Sequence, residues 1–187
     1  MSSAQIDAKP YFRDVAEAIG KLTERDLRDV VLPPLLRKLY YVDVRILHGP
    51  REEGKDLLAW RMSEINTPEW VGFVVKTGDI TAQVAAVSGI RTVLHQVEQV
   101  LDHEIIDPLT SARSQVRGCW VVTTGRILPH ALEDAAATMR RHHLDKLIRW
   151  VDGAALTRLL SENLRRQTLV EMLHLEAGTT PEAEDHP

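Results

Sequence analysis

Two apolar runs of strand length, 55–61 and 70–77, are separated by a short polar loop, and this pairing constrains the fold more than any other stretch of the chain. Such an arrangement predicts an antiparallel hairpin. With the turn centred near Asn66, one register sets Asp56 opposite Lys76 and Met62 opposite Trp70. Directly opposed residues have β-carbons about 5 Å apart, so a carboxylate and an ammonium meet at the mouth of the hairpin. Together they are the smallest kit able to hold a divalent ion and a scissile phosphate. The same two residues also read as a strand-end ion pair, which at a surface contributes ~0–1 kcal/mol. Spacing alone leaves both readings open.

The rest of the chain builds around this hairpin. Residues 11–20, with Phe12, Val15, Ala16 and Ile19 on one face, predict a short amphipathic helix ended by Gly20. A second helix starts well, with Thr23 as cap, Asp26 as the capping-box acid and Leu22 stapling onto Leu27. Pro33-Pro34 then predicts two pieces, 24–32 and 34–39, with a kink between them. Tyr40 to Leu47 alternates as a strand, and Gly49-Pro50 turns the chain. Ile90, Val93, Leu94, Val97, Val100 and Leu101 trace the strongest helical stripe. Val116 to Thr123 reads as a strand, 130–142 as a helix behind Pro129, Lys146 to Val151 as a strand and 154–174 as a final helix. This order predicts a three-layer α/β domain with a mixed sheet. The expected division is an N-terminal helical extension over 1–21, one domain over 22–175 and a disordered acidic tail over 176–187.

Composition narrows the function classes. The 187 residues suffice for one domain with a real core. No apolar run approaches the ~18 residues of a membrane helix and no secretory pattern opens the chain, so no membrane partner is expected and the cytoplasm is the default compartment. The lone Cys119 excludes an internal disulfide framework and a cysteine-cluster zinc site. The net charge of −4 owes much to Glu176, Glu182, Glu184 and Asp185 in the tail, so the body is near neutral and nucleic-acid binding stays open. No phosphate-binding glycine loop and no nucleophile-elbow context appears.

A family resemblance enters with an ordered set of motifs. Leu35-Leu36-Arg37-Lys38-Leu39-Tyr40-Tyr41 is followed by Gly49-Pro50-Arg51-Glu52-Glu53-Gly54-Lys55-Asp56, then by Val74-Val75-Lys76-Thr77-Gly78-Asp79-Ile80. This set resembles the Mrr-type branch of the PD-(D/E)XK, restriction-endonuclease-like nucleases. Val121 to Ile127 and Trp150 to Leu156 resemble that family's fourth and fifth strands. The resemblance implies a three-layer α/β/α restriction-endonuclease-like fold and DNA endonuclease chemistry dependent on Mg²⁺ or Mn²⁺, in defence against foreign DNA. Asp56 matches the family's central metal-binding Asp, and Lys76 its motif lysine, which orients the attacking water or offsets charge on the phosphate. An acid from the first helix, six residues before the paired leucines, maps onto Asp29, whose other reading is a first-turn residue favoured by the helix dipole.

One position departs from the pattern. Active members carry Glu or Gln two residues before the motif lysine, where Val74 stands here, facing Leu58 in the proposed register. Either Glu53 supplies a substitute oxygen as metal ligand and catalytic residue, or the site does not cleave. The alternative function is thus a catalytically inactive nuclease-fold protein, a nucleic-acid-binding or assembly module beside a partner NTPase. Partners implied by the resemblance are DNA, with RNA as the second option, that NTPase and a second copy of the chain.

Other clusters have plainer readings. His95, Glu98 and Asp102 fall on one helix face as a solvated stripe or, alternatively, as metal ligands. Arg51, Lys55 and Arg117 are candidates to flank a DNA groove. Trp60, Trp70, Trp120 and Trp150 sit in or beside predicted strands, as packing residues rather than base-stacking platforms.

Overall fold

The computed structural model of the chain describes residues 8–47, 56–83, 89–106, 111–141 and 143–175. Five strands form the central sheet: β1 (Val42–Ile46), β2 (Leu57–Met62), β3 (Pro68–Lys76), then, after a short ribbon of β4 (Glu104–Ile106) and β5 (Arg113–Gln115), β6 (Gly118–Thr123) and β7 (Ile148–Val151). Their spatial order is β1-β2-β3-β6-β7, antiparallel across the first three and parallel from β3 onward. Parallel strands need long crossovers, and a helix fills each one: α4 (Ile90–Leu101) lies on the path between β3 and β6, and α5 (Pro129–Arg141) between β6 and β7. The opposite face is covered by α1 (Ala8–Gly20), the helical run of α2 (Glu24–Asp26) through α3 (Leu32–Lys38), α6 (Gly153–Asn163) and α7 (Arg166–Leu173).

Because strand side chains alternate, the sheet divides the core in two. Leu57, Phe73, Val75 and Val122 pack with Val15, Ile19, Leu35 and Leu156 on one side. Leu58, Trp70, Val74 and Val121 pack with Val93, Val97 and Val100 on the other. The predicted three layers and mixed sheet are therefore present. Trp70 is fully buried and Trp60 and Trp120 nearly so, in line with a packing role. Val15 and Ile19 place α1 inside the first cluster, against α6 and α7.

Four local expectations are corrected. The hairpin register is two residues off: Trp60, not Met62, lies opposite Trp70, and Met62 meets Pro68. Leu58 accordingly pairs with Gly72 and not with Val74, and Asp56, one residue before the Leu57–Phe73 pair, is level with Val74 and not with Lys76. The cause is the turn. Ser63 and Thr67 clasp it through Ser63 N–H to the Thr67 carbonyl at 2.8 Å and a hydroxyl pair at 2.7 Å, with Asn66 left-handed at φ 59°, so it centres on Ile65. An even shift keeps every side chain on its expected face.

The prolines, second, do not split the helix at 32–34. A π-helical turn, Leu27–Val31, precedes them, and Pro33-Pro34 occupy the first turn of α3. In a regular α-helix they would owe N–H donors to the carbonyls of Asp29 and Val30, which they lack; the wider turn, closed by Leu32 N–H to the Leu27 carbonyl, relieves this. Third, the final helix is two, because Leu164 and Arg165 are extended, at ψ 144° and 147°. Last, the ribbon of β4 and β5 has no counterpart in the sequence reading.

Candidate active site

The C-terminal end of β3 is fixed by its neighbour β6. Thr123 Oγ1 donates to the Gly78 carbonyl at 2.5 Å, and Gly78 N–H donates to Thr124 Oγ1 at 3.0 Å. Gly78 takes φ +72°, a region open to glycine, and a β-carbon on Gly125 would lie 2.3 Å from the Gly78 carbonyl carbon. This tight weave sets the position of Lys76, the last residue of β3.

Asp56 precedes β2 on the adjacent strand. Its N–H donates to the Phe73 carbonyl at 2.9 Å, extending the ladder by one rung. Its Oδ2 accepts the Val75 N–H at 2.7 Å, beside Lys76. Both side chains are buried, Asp56 at 8% and Lys76 at 5% exposure. Burial pushes the Asp56 carboxyl up to about 6, against the opposing pull of the Val75 N–H and the Lys76 ammonium. A buried carboxylate with incomplete compensation is costly to ionise.

The helical run supplies the remaining charges. Glu24 Oε2 lies 3.9 Å from Lys76 Nζ, and its charge adds to the upward pressure on Asp56. Arg28 Nη1 lies 4.0 Å from Asp56 Oδ1. Asp29 accepts from Arg28 Nε at 2.7 Å and faces Arg25 Nε at 3.5 Å. Asp29 thus bears on Asp56 through Arg28, in a chain of alternating charge. Arg28 and Asp29 sit in the π-helical turn, a distortion frequent at functional sites. Glu53, together with Arg51 and Lys55, lies outside the described residues.

Two residues here escaped the sequence reading, Glu24 and Arg28. Their signal was an acid and a base four apart on one helix face, directly after the Thr23 cap. His95 and Glu98 instead line a cleft between α4 and α5 with Asp134. Cys119 is fully buried and burial drives its thiol far up, so it is an inert core residue.

The donor chemistry suits a hard divalent cation. Glu24 presents a carboxylate oxygen 3.9 Å from Lys76 Nζ, and Asp56 lies near enough to feel the charges of both, while magnesium needs only one or two carboxylates because it keeps several waters. Among the described residues, no three His, Cys, Asp or Glu side chains cluster as a closed metal cage, and Val74, fully buried, offers no ligand.

No family model matches the chain, and no curated protein is similar to it in sequence. Among solved structures, the DNA modification-dependent restriction endonuclease AspBHI superposes with a TM-score of 0.53 at 16% identity, over 88% of this chain and 39% of that one. The MspJI restriction endonuclease, in complex with a 27-mer oligonucleotide, overlaps at a TM-score of 0.47 and 12% identity, over 93% of this chain and 37% of its own. The chain thus spans about two-fifths of the length of either enzyme. With its mixed five-stranded sheet between two helical layers, the chain has the three-layer α/β/α restriction-endonuclease-like fold.

Proposed function

We propose that the chain is a nuclease module of the Mrr-type PD-(D/E)XK kind, hydrolysing DNA phosphodiester bonds at Asp56 and Lys76. The observation that carries this reading is the burial of one carboxylate and one ammonium on adjacent strands of this fold, with Glu24 in reach of the lysine. Asp56 Oδ1 and Glu24 would hold a Mg²⁺ or Mn²⁺ ion, which when bound polarises the phosphate and stabilises the leaving oxygen. Glu53 and Asp29 remain proposed additional ligands; the first lies outside the described residues, and the second is engaged by Arg28 and Arg25.

The side chains have distinct tasks. Val75 N–H fixes one oxygen of Asp56 and leaves the other, which faces Arg28, as the one that would hold the ion. Lys76, held by Glu24 and largely excluded from water, faces the charge that develops on the phosphate. Defence against foreign DNA is the biological setting that this reading favours. The test is nicking of supercoiled plasmid with Mg²⁺ or Mn²⁺, by wild type and by Asp56→Ala. Metal-dependent nicking lost in the variant is expected; nicking that persists unchanged would sink the proposal.

A second reading has its own support. Val74 is apolar at the position of a motif ligand, and Arg28 places a guanidinium 4.0 Å from Asp56 Oδ1, where it offsets the charge a metal would neutralise. On that reading the module binds nucleic acid or a partner without cleaving. Binding of metal-free duplex DNA, with no nicking under any divalent ion, would favour it.

A further inference from the structure

The other end of the sheet carries a second concentration of charge with a different construction. At the N-terminal ends of β6 and β7, on the face shared with Phe73, a pocket of about 210 Å³ is lined by Arg61, Arg117, Lys146 and Arg149 over Tyr41 and Trp120. Glu69 is the one acid in its wall, 4.0 Å from Arg61. Arg117, Lys146 and Arg149 form no ion pair among the described residues. The register explains the convergence: Arg149 is paired with Trp120 across β6 and β7, and Arg61 with Glu69 across the hairpin. Along β3, Val71 at this end is five residues from Lys76, roughly 16 Å at the rise of a strand.

Two of the guanidiniums are held by stacking. The Arg149 guanidinium lies 4.1 Å from the centroid of the Trp120 ring, and that of Arg61 lies 5.4 Å from the Tyr41 ring. Both rings are buried, Trp120 at 6% and Tyr41 at 3% exposure. A guanidinium resting on a ring keeps its in-plane N–H edge free, and that planar fork matches a phosphate with two parallel hydrogen bonds. An unpaired cationic group over a rigid aromatic floor is preorganised for an anion, and the excess of four bases over one acid selects against a cation.

We propose that this pocket is a phosphate-binding site, separate from Asp56 and Lys76, that takes a backbone phosphate of nucleic acid. The inference does not depend on cleavage, so it is tested without metal. Fluorescence anisotropy of a labelled 20-base-pair duplex in EDTA, across a salt series, would compare wild type, Lys146→Ala/Arg149→Ala, and an Arg158→Ala/Arg165→Ala control of equal charge change. The expected result is a roughly tenfold loss of affinity for the pocket variant and a salt slope shallower by about 2, with the control less affected. Arg149→Lys, which keeps charge but not the fork, should fall between. All the substituted side chains are exposed, and matched unfolding midpoints would verify the fold.

A second arm titrates inorganic phosphate while following tryptophan fluorescence, because Trp120 lies beneath Arg149. Saturable quenching that the double variant loses, with duplex binding unchanged, would keep the phosphate site and assign it to a free anion. Neither ligand responding to the substitutions would overturn the proposal. So would binding of polyglutamate at the pocket in place of both phosphate ligands, which would make it a surface for acidic protein.

Discussion

The two ends of the sheet use charge in opposite ways. At the C-terminal end of β3, Asp56 and Lys76 are withdrawn from water and compensated piece by piece by Val75 N–H, Glu24 and Arg28. At the other end, Arg117, Lys146 and Arg149 stay exposed, and Arg149 rests on Trp120 instead of on a carboxylate. Buried charge is costly and acquires shifted titration, so it suits chemistry; exposed charge is cheap to hold and open to an incoming ligand, so it suits attraction and positioning. The comparison predicts that substitutions at the first end move activity and pH dependence, while those at the second move affinity and salt dependence.

The largest effect should come from Lys76→Ala, with loss of roughly 10²–10³-fold in metal-dependent cleavage rate under saturating DNA. An equal loss from Arg149→Ala under those conditions would break the distinction between the ends. Next is the stability of Asp56→Asn. Because the folded carboxyl titrates near 6 instead of near 3.8, the folded state binds more protons than the unfolded chain between these values. Wild-type stability should therefore be greatest below the lower value and fall as pH rises through the upper one. In Asp56→Asn that decline should be absent, leaving the variant about 2–3 kcal/mol more stable relative to wild type at pH 8 than at pH 3.5. Denaturant unfolding at the two pH values, without metal, measures it; a pH-independent difference would contradict the burial argument.

Gly125→Ala sharpens the comparison from the backbone side. Its new methyl would meet the Gly78 main chain, so a destabilisation of roughly 1–3 kcal/mol is expected, together with loss of cleavage as Lys76 is displaced. Smallest is Arg61→Ala at the exposed end, whose ion pair with Glu69 should contribute under about 1 kcal/mol to stability. Thermal denaturation distinguishes these two readily.

How much of this was legible in sequence follows from where the determinants lie. The stripe over Ile90–Leu101 gives α4 outright, because apolar periodicity reflects burial directly. The parity of the hairpin was legible too, so Asp56 and Lys76 keep the same strand parity, but the two-residue shift means that they are not directly opposite one another. That shift resides in the Ser63–Thr67 clasp, where side-chain hydrogen bonds set the turn centre and leave no trace in periodicity. Glu24 and Arg28 carried only an ordinary acid–base spacing of four, which reads as a solvated helix pair; what turns Arg28 toward Asp56 is the π-helical turn Leu27–Val31, which periodicity does not announce. The break at Leu164-Arg165 has no glycine or proline to announce it. Of the basic pocket only Arg117 stood out in sequence, as a candidate to flank a DNA groove; Arg61, Lys146 and Arg149 come from separate segments, and only the strand register makes them its neighbours.

On the proposed function, the buried Asp56 carboxylate is kept for a cation. Calorimetric titration of Mn²⁺ into wild type and Asp56→Asn, at pH 5 and pH 8 in buffers of different ionisation enthalpy, tests it most directly. Binding to wild type should be tighter at pH 8, should release a proton at pH 5 as Asp56 ionises, and should be lost in Asp56→Asn. Equal Mn²⁺ binding by both proteins, with no proton release at pH 5, would contradict the claim.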